Sequence, residues 1–280
     1  MDEQKQKSLQ LQAALIRKHA LEAVQAANSG HIGGSFSIAD ILSVLYFDKM
    51  RIDPANPRMT GRDRFVLSKG HCTPAAYATL ALRGFYPLED LKTFRKIDSH
   101  LSGHIEMKHV PGVDMSAGSL GQGLSAALGM ALAGRVDKLD YKVFVITGDG
   151  EIQEGQIWEA AMAAGHFKVD KLRLFVDNNQ LQLDGTVENI MNVAPIDEKF
   201  KSFGWNTIVI NGNDVREISQ ALDQADSVSG KPTAIIARTV KGRGVSVFEN
   251  QVKFHGGRPS AEEYTTAYQE LNAQIAALGG

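Results

Sequence analysis

Cysteine is almost absent from this chain. Cys72 stands alone in 280 residues, so no internal disulfide can form and a reducing, cytoplasmic setting is expected. No apolar run approaches the ~18 residues that a membrane-spanning helix needs. The opening MDEQKQKSLQ is charged and lacks the apolar stretch of a secretory leader. Neither sign of charge is in excess: 30 basic and 32 acidic residues leave a formal net charge of -2, which argues against nucleic-acid or membrane partners. Repeats, low-complexity tracts and Pro/Ser-rich linkers are missing too. The chain therefore reads as one domain over residues 1–280, long enough to bury a large α/β core.

What is present is an alternation of periods. A helix is predicted over residues 9–27, with Leu11, Ala14, Leu21 and Val24 on one face. NSGHIGGSFS (Asn28 to Ser37) breaks it, and SIADILSVLYFDKM resumes as a second helix. A short strand, Arg64 to Leu67, enters a loop at Ser68 to His71, and a helix runs from about Pro74 to Arg83. Residues 96–123, rich in Gly, His and Ser, are predicted to be mostly loop. The pattern then becomes regular: helix Leu124 to Arg135, strand Lys142 to Thr147, helix Glu154 to Phe167, and strand Leu172 to Val176. A long loop, strand Asn206 to Ile210, helix Val215 to Ser227, strand Thr233 to Ala237 and a closing helix complete the series. Short buried strands alternating with helices imply the α/β class, a parallel sheet with helices on both faces. In such sheets ligands bind beyond the carboxyl ends of the strands.

Two strand ends stand out. KVFVITGDGEIQEG closes an apolar run with Asp149 between Gly148 and Gly150, where an unpaired carboxylate is costly. KLRLFVDNNQLQLDG closes another with Asp177, Asn178 and Asn179. Either alone is an ordinary turn composition. Together they are more informative, because the 27 residues between Gly150 and Asn178 hold one helix and one strand, and a right-handed crossover returns the second motif to the same sheet edge. A carboxylate, a side-chain amide and loop carbonyls suit a hard cation such as Mg²⁺, which keeps few protein ligands alongside phosphate oxygens. The helix beginning near Glu154 would aim its N-terminus at the same crevice. Trp158, Ala161 and Met162 on that helix are expected in the core, and the charged segments Asp2 to Lys7 and Glu262 to Glu263 on solvated faces.

Four of eight histidines lie beside glycines in loops: His31 and His104 in SGH, His71 in KGH and His255 in FHG. A neutral imidazole can donate and accept protons near pH 7, and glycine neighbours permit close approach to a substrate. A zinc site at His100, His104 and His109 is disfavoured, since Ser102 and Gly103 would disrupt the helix that such spacing needs and no HExxH core is present.

GDG followed by NN resembles the signature of thiamine diphosphate enzymes. The resemblance implies that Asp149, Asn179 and the backbone carbonyl of Leu181 bind the metal, and that Gly150 contacts the diphosphate. SGHIGGSFSIADIL, LSKGH, FRKIDSHLSGHIE, GSLGQGLSAALGMALA and FHGGRPS narrow it: together they look like the amino-terminal, diphosphate-binding part of transketolase, in the family's order, from about residue 10 to 260. The implied cofactors are thiamine diphosphate and Mg²⁺, with Ca²⁺ or Mn²⁺ also accommodated by the same oxygens. The implied activity is transfer of a two-carbon ketol unit from a ketose phosphate to an aldose acceptor. By the same resemblance His31 and His255 contact donor oxygens and move protons, and His104 holds the sugar. His71 sits near both the diphosphate and the catalytic centre, where it is also a catalytic candidate. Gly118, Ser119, Leu120 and His255 touch the cofactor, and Glu154 is a cofactor-site residue at a subunit interface that links cofactor sites.

The pyrimidine-binding and C-terminal domains of complete transketolases find no counterpart here, so the resemblance implies a split enzyme. A separate C-terminal transketolase subunit is expected as partner, in an α₂β₂ assembly. An α subunit of a thiamine-dependent 2-oxo acid dehydrogenase shares the GDG and NN frame, but is not expected to carry SGHIGGS, SKGH and SGHIE together. A 1-deoxyxylulose-5-phosphate synthase fragment fits the GSLGQG segment less well. A non-catalytic relative would be expected to lose Asp149, Asn179 or several histidines. A nicotinamide dehydrogenase would need a GxGxxG after its first strand.

Overall fold

A computed structural model describes all 280 residues. Its centre is a five-stranded parallel sheet. The strands β1 (Arg64–Leu67), β2 (Val143–Gly148), β3 (Leu172–Asn178), β6 (Asn206–Asn211) and β7 (Thr233–Arg238) lie in the order β1-β2-β3-β7-β6. A small antiparallel hairpin, β4 (Leu181–Gln182) with β5 (Gly185–Thr186), follows β3.

Because side chains alternate along a strand, each central strand feeds two separate cores. Phe144 and Ile146 of β2, Phe175 of β3, and Ile235 and Ala237 of β7 join one cluster of 48 buried residues. The intervening Val143, Val145, Leu172, Leu174, Val176, Ala234 and Ile236 join a second cluster of 24. The larger core is covered by α1 (Glu3–Ala26), α2 (Ile32–Ser37), α3 (Ala39–Val44), α4 (Thr73–Leu82), α9 (Val215–Asp226) and α10 (Ala261–Ala277). The smaller is covered by α5 (Gly123–Val136), α6 (Gly155–His166) and α8 (Ile196–Ser202). Burying each of these Val, Leu, Ile or Phe side chains contributes about 1.5–3 kcal/mol, which explains near-continuous apolar strands with no polar face.

The chain moves one way across the sheet from β1 to β3, and from β6 it returns inward to β7. Beyond β3 the chain continues the same way to the edge strand β6 before turning back, so β7 comes to lie between β3 and β6, and ligands of such sheets bind beyond the carboxyl ends of the strands.

Most predicted elements lie within two residues of their observed limits, and four readings need correction. The first helix begins at Glu3, not near residue 9, because Asp2 caps it by accepting from Lys5 N at 2.7 Å. Asp2 to Lys7 are thus the opening turns of α1, with Lys5 paired to Asp48 at 3.0 Å. NSGHIGGSFS is not wholly a break, since Ile32–Ser37 is helical. Its glycines serve close packing: a Cβ on Gly34 would lie 2.7 Å from Cys72 Sγ, and one on Gly33 2.9 Å from the Phe254 carbonyl oxygen. The long loop after β3 contains β4, β5, α7 (Val187–Met191) and α8. On α6, Ala161 is buried and Trp158 packs on Phe200 with ring centroids 5.1 Å apart, but Met162 is 57% exposed. It projects from the face opposite Ile157, Ala160 and Ala164, which take the core positions.

Candidate active site

Beyond the carboxyl ends of β2 and β3 lies a cavity of about 260 Å³, lined by those ends and by residues from distant loops. Asp149 and Asn179, just past those ends, are 2% and 8% exposed. The Asp149 carboxylate accepts from Gly150 N at 2.9 Å and from Gln180 N at 2.5 Å, and no side-chain cation pairs with it. Burial first, and the nearby Asp177 second, raise its carboxyl to about 7. Asn179 Oδ1 accepts from Leu181 N at 3.1 Å while its Nδ2 donates to Asp177 Oδ2 at 2.8 Å. The Leu181 carbonyl, the third expected metal ligand, accepts from Lys241 Nζ at 2.9 Å, so a cation held there would compete with that ammonium.

A buried carboxylate without a counter-ion, an amide oxygen and a carbonyl fit a hard divalent cation, which would restore the charge that burial disfavours. No cluster of three or more His, Cys, Asp or Glu side chains able to hold a metal exists anywhere in the chain. His100 lies near Asp90 at 3.7 Å and His109 pairs with Glu106 at 2.9 Å, so these two do not converge with His104.

The four glycine-flanked histidines do converge. His31 lies between the other three, its ring centroid 5.7 Å from His71, 6.0 Å from His104 and 6.3 Å from His255. His71 and His255 stack at 4.8 Å. Burial pushes His31 down to about 4, helped by Arg95, and His255 down to about 3, helped by Lys241. Burial and Lys69 hold His71 well below its usual value, and burial with Arg95 lowers His104. The cluster is therefore uncharged at neutral pH, with each ring keeping one donor and one acceptor nitrogen.

The glycines beside these histidines bring the loops together. A Cβ on Gly30 would collide with the Gly256 carbonyl oxygen, and one on Gly70 would lie 2.6 Å from that of Ala117. Gly30→Ala is therefore expected to push the loop of His255 away from His31. The expected cost is about 1–3 kcal/mol in a thermal or chemical melt, with loss of turnover in the assembled enzyme. A variant as stable and active as the parent would show that the loop yields freely.

Most of the remaining expected residues line the same cavity, and Gly118 and Ser119 lie outside its lining. His71, Leu120, Gly150, Glu154, Leu181 and His255 line it. Gly118 packs toward His104, with a Cβ there 3.8 Å from the ring, and Ser119 is exposed beside it. Glu154 is exposed at the rim, where it abuts Gly121, whose Cβ would lie 2.7 Å away.

Four charged residues that the sequence motifs do not single out complete the site. Lys69, 2% exposed, is ion-paired with the fully buried Asp177. Asp177 also accepts from Ser37 Oγ at 2.7 Å and from Thr239 Oγ1. Lys241 contacts His255 Nδ1 at 2.9 Å. Glu151, 3% exposed, accepts from Ser68 Oγ, from Gly121 N at 3.0 Å and from Gly148 N at 3.1 Å, tying three loops together. Arg95 Nη2 lies 3.1 Å from His31 Nδ1. Of these, only Lys69 carried a local signal, its place beside Gly70 and His71.

Residues 8–275 match the family model described as transketolase, thiamine diphosphate binding domain. The chain belongs to the transketolase family. It is 46% identical over 274 residues to the 6-deoxy-6-sulfo-D-fructose transketolase subunit SqwG of Clostridium sp. (strain MSTE9), covering 98% of this chain and 99% of that one. It is 43% identical to an apulose-4-phosphate transketolase subunit of Phocaeicola vulgatus, covering 97% and 96% respectively. Against mouse transketolase the identity is 40%, with 98% of this chain but only 44% of the mouse protein covered. The structure of Campylobacter jejuni transketolase superposes with a TM-score of 0.90 at 36% identity, over 99% of this chain and 46% of that one. The chain is thus a transketolase subunit of the amino-terminal, thiamine diphosphate-binding type, a transferase by class, and the dehydrogenase and synthase alternatives give way to it.

Proposed function

We propose that this chain works with a separate partner subunit to transfer a two-carbon ketol unit from a ketose phosphate to an aldose acceptor. The observation that carries this reading is the meeting of four neutral histidines, two of which, His71 and His255, line the cavity that holds the buried Asp149 and Asn179. Residues 1–280 act as one thiamine diphosphate-binding domain, and the partner supplies the pyrimidine-binding and C-terminal domains in an α₂β₂ assembly. Subunit naming among the relatives that match nearly end to end supports this division.

Asp149, Asn179 and the Leu181 carbonyl would hold Mg²⁺, with Ca²⁺ or Mn²⁺ able to replace it. Gly150, His71, Gly118, Ser119, Leu120 and Glu154 would border the diphosphate, and Lys241 supplies a nearby positive charge. Thiamine diphosphate, when bound, supplies the electron sink that carbon–carbon cleavage next to a carbonyl needs. The chain's own residues then do the positioning. His31 and His255 are neutral and can each give a proton to, or take one from, a sugar oxygen at a ring nitrogen; His104 donates to or accepts from a further hydroxyl. His31 and His255 are half-buried, while His104 is exposed to solvent. A cytoplasmic setting belongs to the same reading, in keeping with the lone, buried Cys72. No helix is long and apolar enough to cross a membrane.

Native purification followed by assay on a ketose phosphate tests the proposal. A co-purifying chain of similar size, and turnover only when both are present, is the expected outcome. Full activity from this chain alone would overturn the split-enzyme reading.

A further inference from the structure

Arg95 sits in an exposed turn and belongs to no secondary-structure element, yet its side chain reaches the centre of the histidine cluster. Both ends of that contact adopt left-handed backbone without being glycine, with φ of 60° at Arg95 and 72° at His31. Such a conformation is costly for a residue with a Cβ, and persists where the surroundings demand it. The turn is closed by Arg95 N donating to the Leu101 carbonyl at 2.8 Å. Gly103 makes room for the guanidinium: a Cβ there would lie 2.8 Å from Arg95 Nε and 3.1 Å from its Cζ. Through that gap Nη2 donates to the Gly103 carbonyl at 3.2 Å and meets His31 Nδ1 at 3.1 Å.

The chemistry of the pair decides the proton's place. A guanidinium has only donors and stays charged at any working pH, so His31 Nδ1 has to accept. The ring proton then sits on Nε2, the nitrogen that faces the loop after His255, 3.9 Å from where a Cβ on Gly256 would stand. We infer that Arg95 is a positioning residue that locks His31 as its Nε2-protonated tautomer, so that the ring presents a hydrogen-bond donor to the sugar. The inference rests on the proposed function in taking His31 as substrate-facing. Arg95 also follows burial as the second cause of the low His31 value, which works in the same direction. It explains why SGH precedes Ile105: the glycine beside His104 serves the arginine that orients His31.

The test uses the full 280-residue chain labelled with ¹⁵N-histidine, its His31 signals assigned by their loss in His31→Gln. Long-range ¹H–¹⁵N correlations distinguish the two tautomers directly. The expected wild-type pattern is that of an Nε2–H imidazole, changing to a tautomer mixture in Arg95→Met and largely retained in Arg95→Lys. Because Arg95 is exposed, neither change should disturb folding. In the complex with the partner chain, Arg95→Met is expected to lower kcat/KM for a ketose phosphate by about 10- to 100-fold, and Arg95→Lys less. An Nδ1–H signature in the wild type, or an Nε2–H signature that survives Arg95→Met, would overturn the inference. A tautomer change with unaltered turnover would support the positioning role while removing His31 from the proposed mechanism.

Discussion

Asp149→Ala is expected to abolish cation-dependent binding of thiamine diphosphate and to cut turnover by the complex at least about 1000-fold, because the site loses a buried, cavity-facing carboxylate that has no cationic partner of its own. The wild-type protein should carry a pH signature of the same group. Burial and Asp177 raise the Asp149 carboxyl to about 7, and a cation binds only the ionised form. Apparent Mg²⁺ affinity should therefore fall about tenfold for each pH unit below 7 and level off above it. Without metal the sign reverses. The folded chain holds a proton that the unfolded chain releases near the ordinary value of 3.8, so this group favours folding most below about pH 4. That contribution is lost as pH rises through about 7, at a cost of about 4 kcal/mol once ionisation is complete.

Alanine removes this cost but leaves Gly150 N and Gln180 N without acceptors, at about 1–3 kcal/mol each. The two effects nearly cancel, so the metal-free variant should melt within a few degrees of the parent at pH 8. Titration calorimetry with Mg²⁺ at pH 6, 7 and 8, with melts of both proteins with and without Mg²⁺ and cofactor, reads all of this. Cation-dependent binding that survives in Asp149→Ala would take Asp149 out of the metal site. An affinity flat from pH 6 to 8 would show that the carboxyl is already ionised in solution.

Lys69→Met is the second large effect, and it acts on stability. Lys69 and Asp177 form an ion pair with both groups almost wholly removed from water. Removing one member of such a pair leaves the other charge buried and typically costs about 3–5 kcal/mol. Here the cost is aggravated because Asp149, another buried acid, lies close enough to raise the energy of an uncompensated Asp177. The melting temperature should drop by roughly 10 °C. Ser37, Thr239 and Asn179 still donate to Asp177, so local collapse is not expected. Adding Asp177→Asn to Lys69→Met removes the stranded charge and should recover part of the loss. A Lys69→Met protein as stable as the parent would mean that the pair's attraction only offsets its desolvation.

Much of this architecture was legible without coordinates. The strand–helix alternation from residue 124 onward needs only local periodicity. Asp149 and Asn179 could be paired because the segment between them has room for a single crossover. The histidine motifs pointed to a shared site, and the four rings do meet. Helix edges and the fate of single side chains were harder to read. Asp2 extends α1 by capping it, and Met162 faces outward although it adjoins the buried Ala161.

By itself, then, the sequence determined the α/β class, the order of the elements and the residue types able to hold a cation and move protons. These follow from apolar spacing and turn chemistry, which act over a few residues. Tertiary structure alone decided which partner each buried or site-facing cation meets. Lys69 meets Asp177 across 108 positions, Lys241 reaches the Leu181 carbonyl and His255, and Arg95 bridges 64 positions to His31. The loops that bear these groups are brought together only by the assembled sheet, in which β7 lies between β3 and β6. Once they are buried there, the low dielectric makes each pairing matter, and no local pattern in the chain encodes that choice.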